Sequence, residues 1–353
     1  MSQATDSVYL SDLSPKDKRW DAHRSDVDSF KNLYAGTQYD KYTARLDNCS
    51  DWLVFAFGID HNGLCNLKLF SAHFCRVPMC PVCQWRRSLK WDSKTFQISP
   101  LLRERYPKSR YLLLTLTVPT CPLIKLRATL ADMNKSWGRL TKLKCWPAQG
   151  WIRSTEVTRR PNDHAHPHFH CLLMVPSSYF GNNYISQKRW VELWKQCLRA
   201  TYDPVVDIRA IKAPKDLPEK FKDDPLSAAL VETIKYCFKP SDILKGDNCQ
   251  LPGQPVRMTD QEWLVELTTQ LYKTRKVATG GIFKEYLNVL EDERENDKED
   301  LIHINEDEES DSDSGGGRMD GHWNRKAKRY NLTSREESAN MCDSAEHDVA
   351  LVN

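Results

Sequence analysis

The sequence of 353 residues lacks the segments that mark several classes of protein. It has no run of 18 or more apolar residues, which excludes a transmembrane helix, and its polar N-terminus lacks the apolar core of a secretion signal. It also has no internal repeat and no Gly-x4-Gly-Lys-[Ser/Thr] motif, so the chain cannot drive a motor through a P-loop. We therefore expect a cytoplasmic protein without a membrane partner, whose 12 cysteines are free or metal-bound rather than disulfide-bonded.

Charge is distributed unevenly along the chain. Residues 291–314 contain 13 acidic and 2 basic residues, a local charge of −11 in a chain whose total is +3, so the remainder carries +14. A basic body with an acidic tail is typical of nucleic-acid-binding proteins, although many unrelated soluble proteins are also basic. The acidic and then Ser/Asp/Gly-rich composition of residues 291–317 predicts disorder there.

Changes in pattern divide the chain into five segments. Residues 1–48 are polar without a clear period and predict a partly ordered N-terminal arm. Residues 49–105 are cysteine-rich and predict a zinc module. Residues 106–250 alternate strands with helices and form the expected domain of the candidate catalytic residues described below. Residues 251–290 predict a helical extension, and residues 291–353 an acidic, mostly disordered tail.

The elements expected within residues 106–250 follow the order β-α-β-β-α-β, followed by one more helix. This order predicts an α+β fold built on a ferredoxin-like split βαβ antiparallel sheet. The strands are predicted at 111–118, 151–158, 168–175 and 205–211, the helices at 123–143, 187–199 and 225–239, and a polar loop at 159–167.

The third of these strands begins with a His-Phe-His pair. Strand alternation places His168 and His170 on one face, about 7 Å apart, where two imidazoles can chelate one divalent metal. Glu156 on the preceding strand would fall opposite or near His170, completing a ligand set suited to Mg²⁺ or Mn²⁺. His164 and His166 are rival ligands in the predicted loop, and the alternative is that the pair consists of ordinary polar residues of a sheet.

The last predicted helix carries a tyrosine on its polar face. Glu232, Tyr236 and Lys239 are three or four positions apart and are therefore neighbours on that face. A tyrosine can form a covalent intermediate once its phenol is deprotonated or activated by a metal. The alternative is a solvated charged face with an amphipathic tyrosine.

Four cysteines offer thiolates for a structural Zn²⁺, and the tight Cys-x2-Cys turn among them is of the type that binds tetrahedral zinc. Either of two nearby residues could replace one of the four. A redox-active pair or incidental buried thiols are the alternatives. The four cysteines are Cys65, Cys75, Cys80 and Cys83, and the two substitutes are Cys49 and His73.

Cations and aromatics alternate directly after the cysteines. Such a segment can hold phosphates and stack unpaired bases, so it predicts a contact with DNA. The alternative is a helix that buries its tryptophans and solvates its charges. The residues are Trp85, Arg86, Arg87, Lys90 and Trp91.

Taken together, four segments resemble the rolling-circle replication initiators of small bacterial plasmids, within the HUH endonuclease superfamily. Residues 75–87 resemble the cysteine-rich start of that family, and residues 112–118 its first motif. Residues 166–173 resemble the paired-histidine motif, and residues 232–239 the tyrosine motif of the subgroup that combines one active tyrosine with a glutamate. The resemblance covers about 65–245.

This resemblance implies a metal-dependent endonuclease that nicks and transfers one strand at a plasmid origin in a bacterial cytoplasm. Tyr236 would retain the 5′-phosphate as a phosphotyrosine and free a 3′-OH primer, and Glu232 would activate water in the terminating cleavage. Lys239 would lie near the scissile phosphate, and the paired histidines would bind the metal. The implied partner is origin DNA, single-stranded at the nick, and the lack of a P-loop motif predicts a separate host helicase.

Two alternatives remain at this stage. A single-tyrosine HUH transposase shares the catalytic core, but such enzymes are typically shorter and lack a cysteine module. A zinc-stabilised DNA-binding regulator with structural histidines would bind duplex DNA without cleaving it. Four motifs in register favour the replication initiator.

Overall fold

A computed structural model describes residues 8–59, 65–211, 239–245, 258–293 and 317–334. They fall in two compact units, Met1–Arg87 with Lys298–Asn353, and Ser88–Asp297. Both combine helices with antiparallel strands, which confirms the predicted α+β class. No helix in these described ranges is long and apolar enough to span a bilayer.

Strands and helices alternate along most of the described chain. The strands are β1 (Val8–Tyr9), β2 (Trp52–Ile59), β3 (Cys65–Ala72), β4 (Arg110–Thr117), β5 (Cys121–Pro122), β6 (Gly150–Arg160), β7 (His164–Val175), β8 (Val206–Ala210), β9 (Val277–Gly281), β10 (Arg318–Asn324) and β11 (Arg329–Ser334). The helices are α1 (Leu10–Leu13), α2 (Lys18–Tyr34), α3 (Lys41–Asp47), α4 (Pro81–Arg105), α5 (Leu126–Leu140), α6 (Gln187–Leu198), α7 (Pro240–Ile243), α8 (Asp260–Leu271) and α9 (Ile282–Glu293).

The first unit contains a five-stranded sheet in the order β1-β11-β10-β2-β3. Helix α2 packs on one face of this sheet, where Trp323 Nε1 donates to Asp28 Oδ2 at 2.8 Å and Tyr330 N donates to Asp21 Oδ1 at 3.1 Å. The core between them is apolar. It includes Trp20, Val27, Phe30, Leu53, Phe55, Trp323, Tyr330 and Leu332.

The segments predicted as a partly ordered arm, 1–48, and as a mostly disordered tail, 291–353, both contain regular elements among the described residues. Helix α2 runs for 17 residues inside the arm, and strands β10 and β11 lie in the tail. The short apolar pattern of the tail strands cannot bury itself alone. It becomes ordered because β10 pairs with β2, which is far away in the sequence.

The second unit contains a sheet whose main path runs β8-β4-β7-β6-β9, with every neighbouring pair antiparallel. Strands β4 and β6 flank β7, which is the pairing of a split βαβ unit. Helices α5 and α6 pack on one face, where the ring of Trp137 lies 5.0 Å from that of Trp151. The predicted strands and the predicted helix at 187–199 agree with the observed elements to within a few residues, apart from the hairpin end described below.

On the opposite face of this sheet, the half that carries Ile152, Leu172 and Met174 is apolar. Ile152, Leu172 and Met174 pack there against α4 and α9 in one core cluster. The segment predicted as a helical extension, 251–290, contains α8 and the start of α9, and the strand β9 lies between them and pairs with β6. Two glycines make this possible: the Trp151 ring lies where a side chain of Gly280 would be, and Gly281 turns the chain into α9 at a φ of +57°.

The loop predicted at 159–167 is also shorter in the structure. Strands β6 and β7 remain paired out to Arg160 and His164, and only Pro161–Asp163 form the turn. Asn162 and Asp163 adopt positive φ angles of 61° and 56°, which lets three residues reverse the chain. The histidine strand therefore begins four residues earlier than the sequence predicts.

Candidate active site and metal centres

Three polar side chains converge on the half of the sheet face that the apolar cluster leaves uncovered. Glu156 on β6 is the register partner of His168 on β7, and His170 is its diagonal neighbour. Glu156 Oε2 lies 3.1 Å from His168 Nε2 and 2.8 Å from His170 Nε2. The sequence placed Glu156 opposite or near His170; the structure shows it opposite His168 and in contact with both.

Hydrogen bonds on the far side of each imidazole orient the two rings. His168 Nδ1 donates to the His166 carbonyl at 3.2 Å, which leaves Nε2 as the nitrogen directed at Glu156. His170 Nδ1 lies 3.3 Å from Thr115 Oγ1 on β4, a partner that the sequence did not single out. Backbone and hydroxyl partners of this kind fix the tautomer and orientation of metal-binding histidines.

The electrostatics of this cluster favour a bound cation. Burial opposes ionisation of Glu156, but its close contacts with His168 and His170 outweigh burial and hold the pKa of the carboxyl well below its ordinary value. Two imidazole nitrogens and a carboxylate oxygen facing one point repel each other unless a proton or a metal lies between them. All three ligand atoms lie within 4.8 Å of one another, so the set could hold a metal ion.

His164 and His166, the rival ligands, lie further along the same face toward the turn. His166 Nδ1 lies 3.2 Å from Arg160 Nη2. Burial and the charges of His168 and Arg160 lower the pKa of His166. Neither residue belongs to the group of ligand atoms around Glu156.

A buried arginine ties the chain after the tyrosine motif to the strand that carries Glu156. The Arg159 guanidinium pairs with Asp163 at 2.8 Å and with Asp260 at 2.7 Å, and all three side chains are buried. Arg159 Nη1 also donates to the Ile243 carbonyl at 3.4 Å, and Lys245 Nζ donates to the Arg159 carbonyl at 2.8 Å. Residues 239–245 are thus held against β6, the strand that carries Glu156.

The tyrosine motif itself lies only partly in the described structure. Glu232 and Tyr236, with the predicted helix at 225–239, fall outside the described residues, so their roles stay predictions. Lys239 is described, exposed, and directly precedes α7.

Asp242 of α7 is a polar residue near the cluster that the sequence analysis missed. Its Oδ2 is buried and accepts no hydrogen bond from any described residue. Burial raises the pKa of Asp242; the charge of Lys245 opposes this rise, and the charge of Glu156 adds to it. A lone aspartate in a one-turn helix carries no motif, so only the tertiary structure brings it to notice.

Four buried cysteines form a second possible metal centre. The Sγ atom of Cys49 lies 3.5 Å from that of Cys80 and 3.7 Å from that of Cys83, and the Sγ atoms of Cys75 and Cys83 are 3.7 Å apart. Zinc–sulfur bonds of about 2.3 Å in a tetrahedron separate the sulfurs by about 3.8 Å, which matches these distances. Arg76 N donates to Cys83 Sγ at 3.3 Å, as expected of a metal-binding turn.

The membership of this cluster differs from the favoured prediction. Cys49, the alternative ligand, occupies the place expected for Cys65, while His73 is exposed and outside the cluster. Cys65 begins β3, and its side chain lies outside the described residues. Cys49 is brought in because helix α3 ends just before it and Ser50 N donates to the His73 carbonyl at 2.7 Å.

The aromatic and basic segment predicted to contact DNA is partly buried. Trp85 and Arg86 are 6% and 7% exposed, and the Arg86 guanidinium lies 5.3 Å from the ring centroid of Trp20. Burial lowers the pKa of Arg86 to about 10. These two residues therefore belong to the core, which corrects their prediction as DNA contacts. Arg87, Lys90 and Trp91 are half-buried, and their contact with DNA stays a prediction.

Comparison with known proteins supports a common origin across most of the chain. A family described as Replication protein (Rep_1) matches residues 66–331. The chain is 35% identical over 327 residues to "Protein rep" of Streptococcus pneumoniae serotype 2 (strain D39 / NCTC 7466), covering 89% of this chain and 92% of that protein. It is 30% identical over 335 residues to "Protein rep" of Bacillus amyloliquefaciens, covering 91% and 94%. No solved structure matches the chain significantly.

Proposed function

Because the chain belongs to the Rep_1 family of plasmid replication proteins, we propose that it initiates rolling-circle replication. The family assignment confirms the resemblance that the motifs of the sequence indicated. In this proposal Tyr236 nicks one strand of the plasmid origin. The observation that supports it most directly is the convergence of Glu156, His168 and His170 on one point. Its relatives are bacterial, and we place its action on DNA in the bacterial cytoplasm, with a host helicase as partner.

The residues present fit a divalent cation at the nick site. His168 and His170 would each contribute Nε2 and Glu156 a carboxylate oxygen, a donor set suited to Mg²⁺ or Mn²⁺. When bound, the cation would draw electron density from a phosphate oxygen and stabilise the charge that develops during cleavage. The four cysteines would hold a Zn²⁺ with a structural role, because all four thiols are buried and fill a tetrahedral set.

In the proposed reaction, the phenolate oxygen of Tyr236 forms a bond to the scissile phosphorus. The bond from phosphorus to the 3′-oxygen breaks, and that oxygen takes up a proton to become the primer. Lys239 would lie close to the developing charge, since it is three residues from the tyrosine and precedes the segment anchored on β6. The round ends by strand transfer, and by hydrolysis of the phosphotyrosine with water activated by Glu232.

The decisive experiment incubates the full-length protein with single-stranded DNA from the candidate origin of its own replicon, with and without Mn²⁺. Denaturing electrophoresis and peptide mapping would then locate any covalent adduct. The proposal expects a metal-dependent nick and an adduct on Tyr236. Absence of both, on an origin that the protein binds, would instead indicate a non-catalytic regulator.

We predict that Glu156→Ala lowers the rate of Mn²⁺-dependent nicking by about 1,000-fold, because metal stabilisation of a phosphoryl transition state is worth several kcal/mol. The measurement is the single-turnover nicking rate across a Mn²⁺ titration. His164→Ala is the matched control, since His164 lies on the same strand face outside the ligand set. Equal losses in the two variants would overturn the assignment of the ligands.

We predict that Glu232→Ala nicks at the normal rate but accumulates covalent protein–DNA adduct. This result is expected because only the terminating cleavage needs a base for water. The time course of adduct on denaturing gels, compared with wild type, measures it. Unchanged turnover in this variant would remove the water-activating role.

A further inference from the structure

The sheet of the first unit has a second face that α2 does not cover. Strand alternation directs Trp323 toward α2 and therefore directs Arg318, Asp320 and His322 of β10 to the opposite side. The same alternation and the observed register place Tyr9 and Trp52 on this side, and the Arg318 guanidinium over its ring places Phe70 there too. We call it the aromatic face and define it by Tyr9, Trp52, Phe70 and His322, with Arg318, Asp320 and Asn331 between them.

Three of these rings lie in one row across the sheet. Tyr9, His322 and Trp52 occupy successive register positions, with Asn331 between the first two. The rings of Trp52 and His322 are inclined by only 20°, with centroids 6.4 Å apart. Trp52 is 40% exposed and Phe70 43%, which leaves large aromatic surfaces open to solvent.

Two arginines accompany the aromatic rings. The Arg318 guanidinium lies 3.8 Å from the Phe70 centroid. That of Arg329, which is already paired with Asp12, lies 4.1 Å from the Tyr9 centroid. Arg318 is exposed, and Lys68 is on the same face, two residues from Phe70. Positive charge beside stacking surfaces complements the phosphates and bases of a single nucleic-acid strand.

Two hydrogen-bond acceptors on this face have no donor in the described chain. Asp320 is only 4% exposed, yet its Oδ1 accepts no hydrogen bond from the residues that the structure describes. Asn331 Oδ1 is also buried and accepts no hydrogen bond from the described residues. A buried acceptor without a donor costs free energy, so a ligand that brings donors to this face is favoured. The amino groups of unpaired bases are such donors, and a carboxylate pairs well with the amine of cytosine.

We propose that the aromatic face binds single-stranded DNA, with bases stacked on Trp52 and Phe70 and a base amine bound to Asp320. This goes beyond nicking and rests on the proposed function only in identifying the nucleic acid as DNA. A single nucleic-acid strand fits this face better than a peptide does. Its bases can stack on the exposed rings, and their amines can donate to the acceptors that lack a donor. A peptide remains a possible outcome of the test.

The test measures the affinity of the full-length protein for a labelled single-stranded oligonucleotide, without added divalent metal, by fluorescence anisotropy. Trp52→Ala and Phe70→Ala are each expected to weaken binding by about 5- to 100-fold, the range measured for removing one stacking ring. Tyr202→Ala is the matched control, because Tyr202 is equally exposed at 40% but lies in the second unit. Thermal unfolding of each variant verifies that the fold is retained.

The Asp320→Ala variant tests independently whether this face contacts the bases of a bound strand. It should weaken binding of oligo(dC) more than of oligo(dT), because cytosine carries an exocyclic amine and thymine does not. An oligonucleotide carrying 5-iodouracil should crosslink on irradiation to peptides containing Trp52 or Phe70. Crosslinks that map only elsewhere, together with unchanged affinity in both aromatic variants, would overturn the proposal and leave a peptide as the occupant to test.

The outcomes for the two proposals are separable. The binding assay contains no added Mn²⁺, so a protein that binds through the aromatic face but never forms a Tyr236 adduct refutes the nicking proposal alone. A protein that nicks normally, yet binds single strands equally well in the Trp52→Ala and Phe70→Ala variants, refutes this inference alone. Equal weakening of duplex binding would also overturn it, because paired bases cannot stack on the rings.

Discussion

Replacing Tyr236 with phenylalanine is expected to abolish nicking and the covalent adduct while leaving affinity for origin DNA unchanged. The substitution removes one phenolic oxygen and keeps the ring, so it deletes the nucleophile without a gap in packing. Loss of a nucleophile in a covalent mechanism can cost about 10⁶ in rate, which falls below detection in a gel assay. The nicking rate and the dissociation constant, measured on the same oligonucleotide, provide the check.

Tyr236 itself lies outside the described residues, and the described chain resumes three residues later. The chain that resumes at Lys239 is fastened to β6 through Arg159, three residues from Glu156. Tyr272→Phe is the matched control, because it removes the hydroxyl of an exposed tyrosine elsewhere in the same unit. Nicking at the wild-type rate in the Tyr236 variant would assign the nucleophile to another residue.

Replacing Cys80 with serine is expected to release the metal of the cysteine cluster and unfold the first unit. Structural zinc contributes about 10–16 kcal/mol to the folding of small zinc domains, more than the core of such a unit can replace. Cys80 is fully buried, with its Sγ atom 3.5 Å from that of Cys49, so its replacement leaves three thiols in the cluster. Metal content by mass spectrometry and thermal unfolding measure the two effects.

Two further variants distinguish the competing ligand sets. Cys49→Ser should lose zinc as Cys80→Ser does, whereas Cys65→Ser should retain it, because Cys49 completes the cluster. Cys145→Ser controls for the loss of an exposed thiol. Unchanged zinc content in the Cys49 variant would return the fourth position to Cys65.

The hairpin that carries Glu156, His168 and His170 was predictable because its information is local. A strand repeats every two residues, so the spacing of His168 and His170 alone placed both on one face. Glu156 followed from the short connection between the two strands. The turn at Pro161–Asp163 was less predictable, since its positive φ angles follow from pairing that extends to the tip.

The burial of Trp85 and Arg86 shows where local pattern misleads. Alternating cations and aromatics are typical of a DNA-binding surface, but here Trp20 of a distant helix packs edge-on against Trp85 at 4.8 Å and also lies beneath Arg86. The exposed aromatic face shows the converse. Its rings come from four strands spread between residues 9 and 322, so no stretch of sequence displays them together.

The sequence by itself determined the α+β class, the order of the split βαβ unit, the histidine pair with its glutamate and the family. Each of these features depends on the periodicity of one segment, on a motif of a few residues or on one short hairpin. Only the tertiary structure decided that Cys49 joins the cysteine cluster, that β10 and β11 complete the first sheet, and that Arg159 anchors the chain beyond the tyrosine. These depend on contacts between residues far apart in sequence, where burial and hydrogen bonding select the partner.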